Sequence, residues 1–185
     1  MKSYKPKIAK AQALDLLTLR GRIFRSRRLI PCRIELIYLP YYFFQIRVKN
    51  KRGIEKEFYA GVDAILGGFS LVDKESLEPD EINEIEFEPC ISLQEAEERL
   101  EKEARWFLVS RSLQMRESYM LLSKSKGELA FYPYWVGYYK NKSGAWEFLG
   151  LDAVSGVIQG GAGRRLFIHS FAKTRIKSIQ EQIKE

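Results

Sequence analysis

The sequence predicts a soluble α+β protein. It reads as two duplicated units of helix packed on antiparallel sheet, pseudo-twofold related, with a C-terminal helix after them. Three recurrences carry this reading. A helix-start pattern of isoleucine, a small or hydroxyl residue, Gln/Glu and alanine appears at 8–13 and again at 91–96. An aromatic strand interrupted by proline appears around Pro40 and Pro133. The corner Gly-x-Asp-Ala-x-x-Gly appears at 61–67 and 150–156. Ordered recurrence at matched spacing is the signature of an internal repeat.

The elements follow in chain order. A first helix starts near Ile8, with Ala13, Leu14 and Leu17 inward and Leu16 beside them, and Gly21 can end it. On the strand through Pro40, Ile34, Leu36, Tyr38, Tyr42, Phe44, Ile46 and Val48 share one face, and Gln45, Arg47 and Lys49 make the other face polar. A proline inside such a strand predicts an edge position or a bulge, because it cannot donate to a ladder. Asn50-Lys51-Arg52-Gly53 and Asn141-Lys142-Ser143-Gly144 are hairpin turns. The second hairpin loop is four residues shorter, and the second helix-to-strand connection is ten residues longer. Both differences fall in connections, where length changes are tolerated. Short strands are expected at Phe69–Val72 and Val157–Gln159. In the second copy Ser92 and Glu95 form a capping box, and Ala96, Leu100, Ala104, Phe107 and Leu108 line one helical face. The predicted domains are therefore 1–72, an acidic linker 73–90 in which Ile82, Ile85 and Phe87 alternate with acids, 91–163, and a mostly helical 164–185.

This order of helix, strand, turn, strand and Val-Asp-Ala-x-x-Gly corner resembles the PepSY domain family. The stretches that carry the resemblance are 8–17 with 42–69, and 91–100 with 135–158. The resemblance implies a cystatin-like helix on a small antiparallel sheet and a binding role toward proteins or peptides. Family members are typically exported or membrane-linked, whereas here no continuous apolar segment follows the basic residues at 2–7 and no apolar run is long enough to span a bilayer.

Composition narrows the function classes. Cys32 and Cys90 are 58 residues apart and form no CxxC pair, so neither a disulfide framework nor a structural zinc site is expected, and the compartment reads as cytoplasmic. His169 is the sole histidine, no serine-hydrolase motif is present, and nothing local supports a Cys32–His169 pair. No catalytic residue, metal or cofactor is expected. Asp63 and Asp152, with Gly61, Gly67, Gly150 and Gly156, read as structural turns, since an aspartate opening a turn bonds backbone N–H groups ahead of it. The alternative is a carboxylate pair for acid–base work.

Charge is segregated. Residues 1–56 hold 15 Lys/Arg against three acids, residues 73–103 hold 13 acids against three bases, and residues 104–185 hold 13 bases against six acids. Arg22, Arg25, Arg27 and Arg28, with Phe24 among them, and Arg164 and Arg165 after a glycine-rich run, would suit a nucleic acid or an anionic surface. The same cluster could instead dock on the acidic stretch of its own or a second chain. The aromatic groups, among them Tyr41, Phe43, Tyr134 and Tyr138, read mainly as core. Those left over would line a groove for a protein or peptide partner, or a homodimer surface. A non-catalytic binding or regulatory protein, working through a sheet edge or aromatic surface, is the leading expectation. Nucleic-acid or anionic-surface binding is the alternative.

Overall fold

The computed structural model describes residues 1–20, 28–115, 119–140 and 143–182. It is a mixed α and β structure. In chain order the elements are β1 (Lys2–Tyr4), α1 (Lys10–Leu17), β2 (Leu19–Arg20), β3 (Arg28–Leu29), β4 (Arg33–Asn50), β5 (Glu55–Asp63), β6 (Phe69–Val72), β7 (Pro79–Glu81), α2 (Leu93–Met115), β8 (Tyr119–Lys124), β9 (Glu128–Lys140), β10 (Trp146–Asp152) and α3 (Gly161–Gln182). Eight strands form one sheet in the order β6-β5-β4-β9-β1-β7, with β10 on β9 and β8 on β4, and β2 pairs separately with β3. No helix among the described residues is long and apolar enough to cross a membrane.

Two compact units emerge, and each is assembled from separated segments. The terminal unit takes Met1–Leu39, Ser76–Phe87 and Phe131–Glu185, and the central unit takes Pro40–Glu75 and Glu88–Ala130. They differ from the consecutive ranges 1–72 and 91–163. The helix from the first stretch shares a unit with the hairpin of the second, and α2 shares a unit with β4 and β5.

In the central unit, Phe44, Ile46 and Val48 of β4 and Ala60 and Val62 of β5 meet Ala96, Leu100, Ala104 and Leu108 of α2. This is the predicted strand face against the predicted helical stripe. Burying Leu100 contributes about 2 kcal/mol relative to leaving it in water. The α2 cap is also as expected: Ser92 N–H and Oγ–H donate to Glu95, and the Glu95 N–H donates to Ser92 Oγ at 3.2 Å.

In the terminal unit, α1 sets Ala13 and Leu17 against Trp135, Leu151 and Ala153. The Trp135 indole N–H donates to the Ile8 carbonyl at 2.8 Å. The Tyr139 hydroxyl donates to the Leu17 carbonyl, and burial pushes that phenol up to about 12. Leu14 and Leu16 are exposed rather than inward, because α1 stops at Leu17, with Thr18 as its cap, and shows the sheet only one narrow stripe. Gly21 lies outside the described residues.

The opposite sheet face of this unit receives α3. Phe167 packs edge-on against Tyr134 and Phe148, and Phe171 edge-on against Phe148 and tilted against the linker residue Phe87. A Cβ on Gly150 would lie 2.1 Å from the Phe167 ring, so only glycine lets α3 sit this close.

Several expectations need correction. Pro40 and Pro133 are fully buried in strands that have neighbours on both sides, not at an edge. Each sits one residue beyond its hairpin register, which ends at Tyr41↔Asp63 and Tyr134↔Asp152, so the hairpin ladder does not need the missing N–H. The C-terminal helix starts earlier than the expected 164: α3 begins at Gly161 within the glycine-rich run, and the Arg164 N–H donates to the Gly160 carbonyl at 2.9 Å. The expected strand Phe69–Val72 is present as β6, whereas 157–159 is reduced to a single bridge, Leu151↔Ile158. The acidic linker supplies β7, which pairs with β1.

Candidate functional site

The two corners are saturated with hydrogen bonds. Asp63, 5% exposed, accepts the N–H groups of Ile65, Leu66 and Gly67 on Oδ1 and that of Gly68 on Oδ2. Asp152 accepts the N–H groups of Val154 and Ser155 on Oδ1, and the Tyr132 hydroxyl donates to the carboxylate at 3.0 Å from each oxygen. Burial, and then the Asp152 charge, hold the Tyr132 phenol well above its ordinary range. Gly67 and Gly156 close the corners at φ 77° and 74°, the left-handed region that glycine enters without strain. Each carboxylate organises its own backbone turn, and Asp63 belongs to the central unit while Asp152 belongs to the terminal one.

The aromatic candidates are mostly interior. Tyr41, Phe43 and Tyr134 are buried, so they cannot form an exposed docking surface. Tyr41 and Phe43 stack at 5.9 Å between centroids, and Phe43 and Tyr59 at 5.6 Å. Tyr138 is half-buried, and its hydroxyl donates to Glu35, which also pairs with Arg33. Burial and that hydrogen bond raise the Tyr138 phenol. Glu86 lies close enough to be influenced by Glu35 and Arg33. Desolvation, with the Glu35 charge, raises its carboxyl despite the opposing guanidinium.

The basic candidates are dispersed. Arg22, Arg25 and Arg27 fall outside the described residues, and Arg28 is placed on β3 by its backbone alone. Arg164 and Arg165 are exposed on the first turns of α3, with the Arg164 guanidinium 5.8 Å from the centre of the Phe148 ring. His169 is exposed on the same helix. Among the described residues no group of three or more His, Cys, Asp or Glu is arranged to hold a metal ion.

The feature that residue-type reasoning missed is made of backbone. β5 pairs with β4 along its whole length, from Lys49↔Glu55 to Tyr41↔Asp63. On its other side β6 pairs only with Tyr59–Val62 and ends at Val72. Among the described residues no strand lies beside Glu55–Phe58 on that side.

The polarity of this open lane follows from antiparallel alternation. The Asp63 N–H donates to Gly68 across the β6 side, whereas the Asn50 N–H of β4 donates to Ile54. Odd residues of this strand therefore face β6 and even ones face β4. Glu55 and Glu57 accordingly present backbone N–H and C=O to the lane. A groove of about 250 Å³ lies there, lined by Glu57, Phe58, Tyr59, Leu71, Lys74 and Glu75 among others. β6 ends at Val72; beyond it the Glu75 N–H donates to the Asp73 side chain, and Lys74–Ser76 form a short 3-10 turn. The unequal lengths of the strands on either side of the Asp63 corner are the one sequence signal that could have indicated it.

Comparison with protein-family models, with curated proteins and with solved structures gives no match. The reading of the site therefore rests on its geometry.

Proposed function

We propose that this is a non-catalytic binding protein that captures an extended segment of a partner polypeptide as an added strand beside Glu55–Phe58. The observation that carries the reading is the mismatch between β5 and β6: a strand paired on one side continues past the end of its neighbour on the other. Strand addition satisfies such an edge with main-chain bonds, and alternate side chains supply specificity. Each backbone bond gained contributes about 1 kcal/mol net, so a lane this short suits a reversible partner. The PepSY-like order of elements supports the same kind of role.

The shared bonding of the corners supports a duplicated, pseudo-twofold origin for the two units. Ala64 N–H donates to Pro40 and Ala153 N–H to Pro133. The Ala64 carbonyl then accepts the N–H groups of Cys90 and Ile91 ahead of α2, as the Ala153 carbonyl accepts those of Lys7 and Ile8 ahead of α1. Two free cysteines, one of them exposed, support a reducing cytoplasmic setting.

Amide hydrogen exchange tests the lane directly. In the free protein the amides of Glu55 and Glu57 exchange fast, and those of Lys56 and Phe58 are protected by β4. Adding the partner slows Glu55 and Glu57. Equal protection of all four amides in the free protein would refute the open lane.

A further inference from the structure

Resting on that lane, we infer the character of the partner: an extended segment in which lysine or arginine alternates with apolar residues. The two faces of the lane differ in chemistry. On one face stand the side chains of Glu55 and Glu57, with Asp73 and Glu75 across the groove and Lys74 as the only cation among the groove residues. The Lys74 ammonium lies 5.8 Å from the centre of the Tyr59 ring. Glu57 accepts from the Gln45 amide at 2.6 Å and meets Arg47 at 3.6 Å, and Glu55 meets Lys49 at 3.8 Å. These ion pairs are long and solvent-exposed, so they are weak and readily exchanged for a partner's cation.

On the other face Phe58 packs edge-on against Phe107 of α2, 6.2 Å between centroids, and Leu71 at the end of β6 is 41% exposed. An added strand sends successive side chains to opposite faces. One set would meet carboxylates, and the next would cover Phe58 and Leu71.

The same charges argue against a second copy of this chain as occupant. Two β5 lanes paired antiparallel would set Glu55 opposite Glu57, or Glu57 opposite itself. Like charges directly across a ladder are destabilising. The glutamates thus guard the edge against self-pairing while favouring a basic strand.

The test is a fluorescence-anisotropy titration with three labelled eight-residue peptides: valine alternating with lysine, with serine or with glutamate. Each is measured at low and at physiological salt. The lysine peptide should bind at least about tenfold more tightly than the glutamate peptide, with the gap narrowing as salt screens the charges. Glu57→Pro should abolish binding of every peptide, since it removes an N–H that faces the lane and not β4. Retained protection of the Lys56 and Phe58 amides would show that this variant is folded. Should Glu57→Pro unfold the hairpin, Glu57→Gln with Glu75→Gln takes its place, and loss of the lysine preference with retained serine-peptide binding supports the inference. No binding of any peptide to the wild-type chain would overturn the lane itself. Equal binding of lysine and glutamate peptides would leave the lane standing and overturn the charge selectivity. Concentration-dependent dimerisation that competes with the peptides would replace the partner with a second copy.

Discussion

In the terminal unit, Tyr138, Phe148 and Gly150 line the sheet face that receives Phe167 and Phe171 of α3. In the central unit the sequence pattern aligns Gln45, Tyr59 and Gly61 with those positions. There Tyr41, Phe43 and Tyr59 stack on one another, and Gln45 reaches across to Glu57. A few side chains thus decide whether a sheet face is finished by a helix or by its own rings and a polar border. The corners diverge in the same economical way. Asp63 uses the N–H of Gly68 for its second oxygen, and a Cβ there would lie 2.6 Å from that atom. Asp152 uses the phenol of Tyr132, where the sequence pattern aligns Leu39.

The largest effect should come from the corners. Asp63→Ala strands the N–H groups of Ile65, Leu66 and Gly68, while Gly67 keeps its bond to the Asp63 carbonyl, and should cost about 3 kcal/mol in denaturant unfolding. Asp152→Ala, whose Ser155 N–H is exposed and can turn to water, should cost about 2 kcal/mol. Equal costs would mean that burial of the donors does not govern the corners. Next comes glycine: Gly150→Ala should cost about 3 kcal/mol by displacing Phe167, whereas Gly61→Ala, whose Cβ would meet Phe43 and Tyr41 at 3.3 Å, should cost below about 1 kcal/mol.

The smallest effect concerns pH, and its sign differs between units. Ser92, through its backbone N–H and then its hydroxyl, lowers the Glu95 carboxyl, and Lys124 lowers that of Glu101. A carboxyl depressed by folding stabilises above its unfolded value of about 4 and loses that contribution as pH falls through the folded one. Glu86 is raised, so its proton is held more tightly in the folded chain, and its contribution is present at low pH and lost as pH rises through the folded value. Amide exchange followed toward acid should show α2 loosening while the contacts around Phe87 tighten. Glu95→Gln should flatten the first response and Glu86→Gln the second.

Much of the local structure was legible in the sequence because it is written in local chemistry. The Ser92–Glu95 cap, the Asp-Ala-x-x-Gly corners, the β4 face from Phe44 to Val48 and the strand Phe69–Val72 each follow from neighbours a few residues apart. The interleaving was not legible. Ala13 and Leu17 make an apolar stripe that fits either aromatic sheet, and nothing local says that Trp135 rather than Tyr42 will receive it. β1 spans three residues and exists through its pairing with β7. β8 lies in the longer connection and is fixed by pairing with β4, far earlier in the chain. The lane beside Glu55 was invisible for a related reason: it consists of main-chain groups, and residue identity does not reveal which strand end lacks a neighbour.

The discontinuous make-up of the units bears on biosynthesis. As the chain leaves the ribosome, α1 emerges more than a hundred residues ahead of Trp135, the residue that will shelter it. The central unit can close first, once Ala130 is clear of the exit tunnel, while α1 still waits for Trp135, Leu151 and Ala153. Such distant pairing slows assembly. A nascent chain halted once Ala130 has cleared the tunnel should hold α2 in a protease-resistant body and leave α1 open to cleavage.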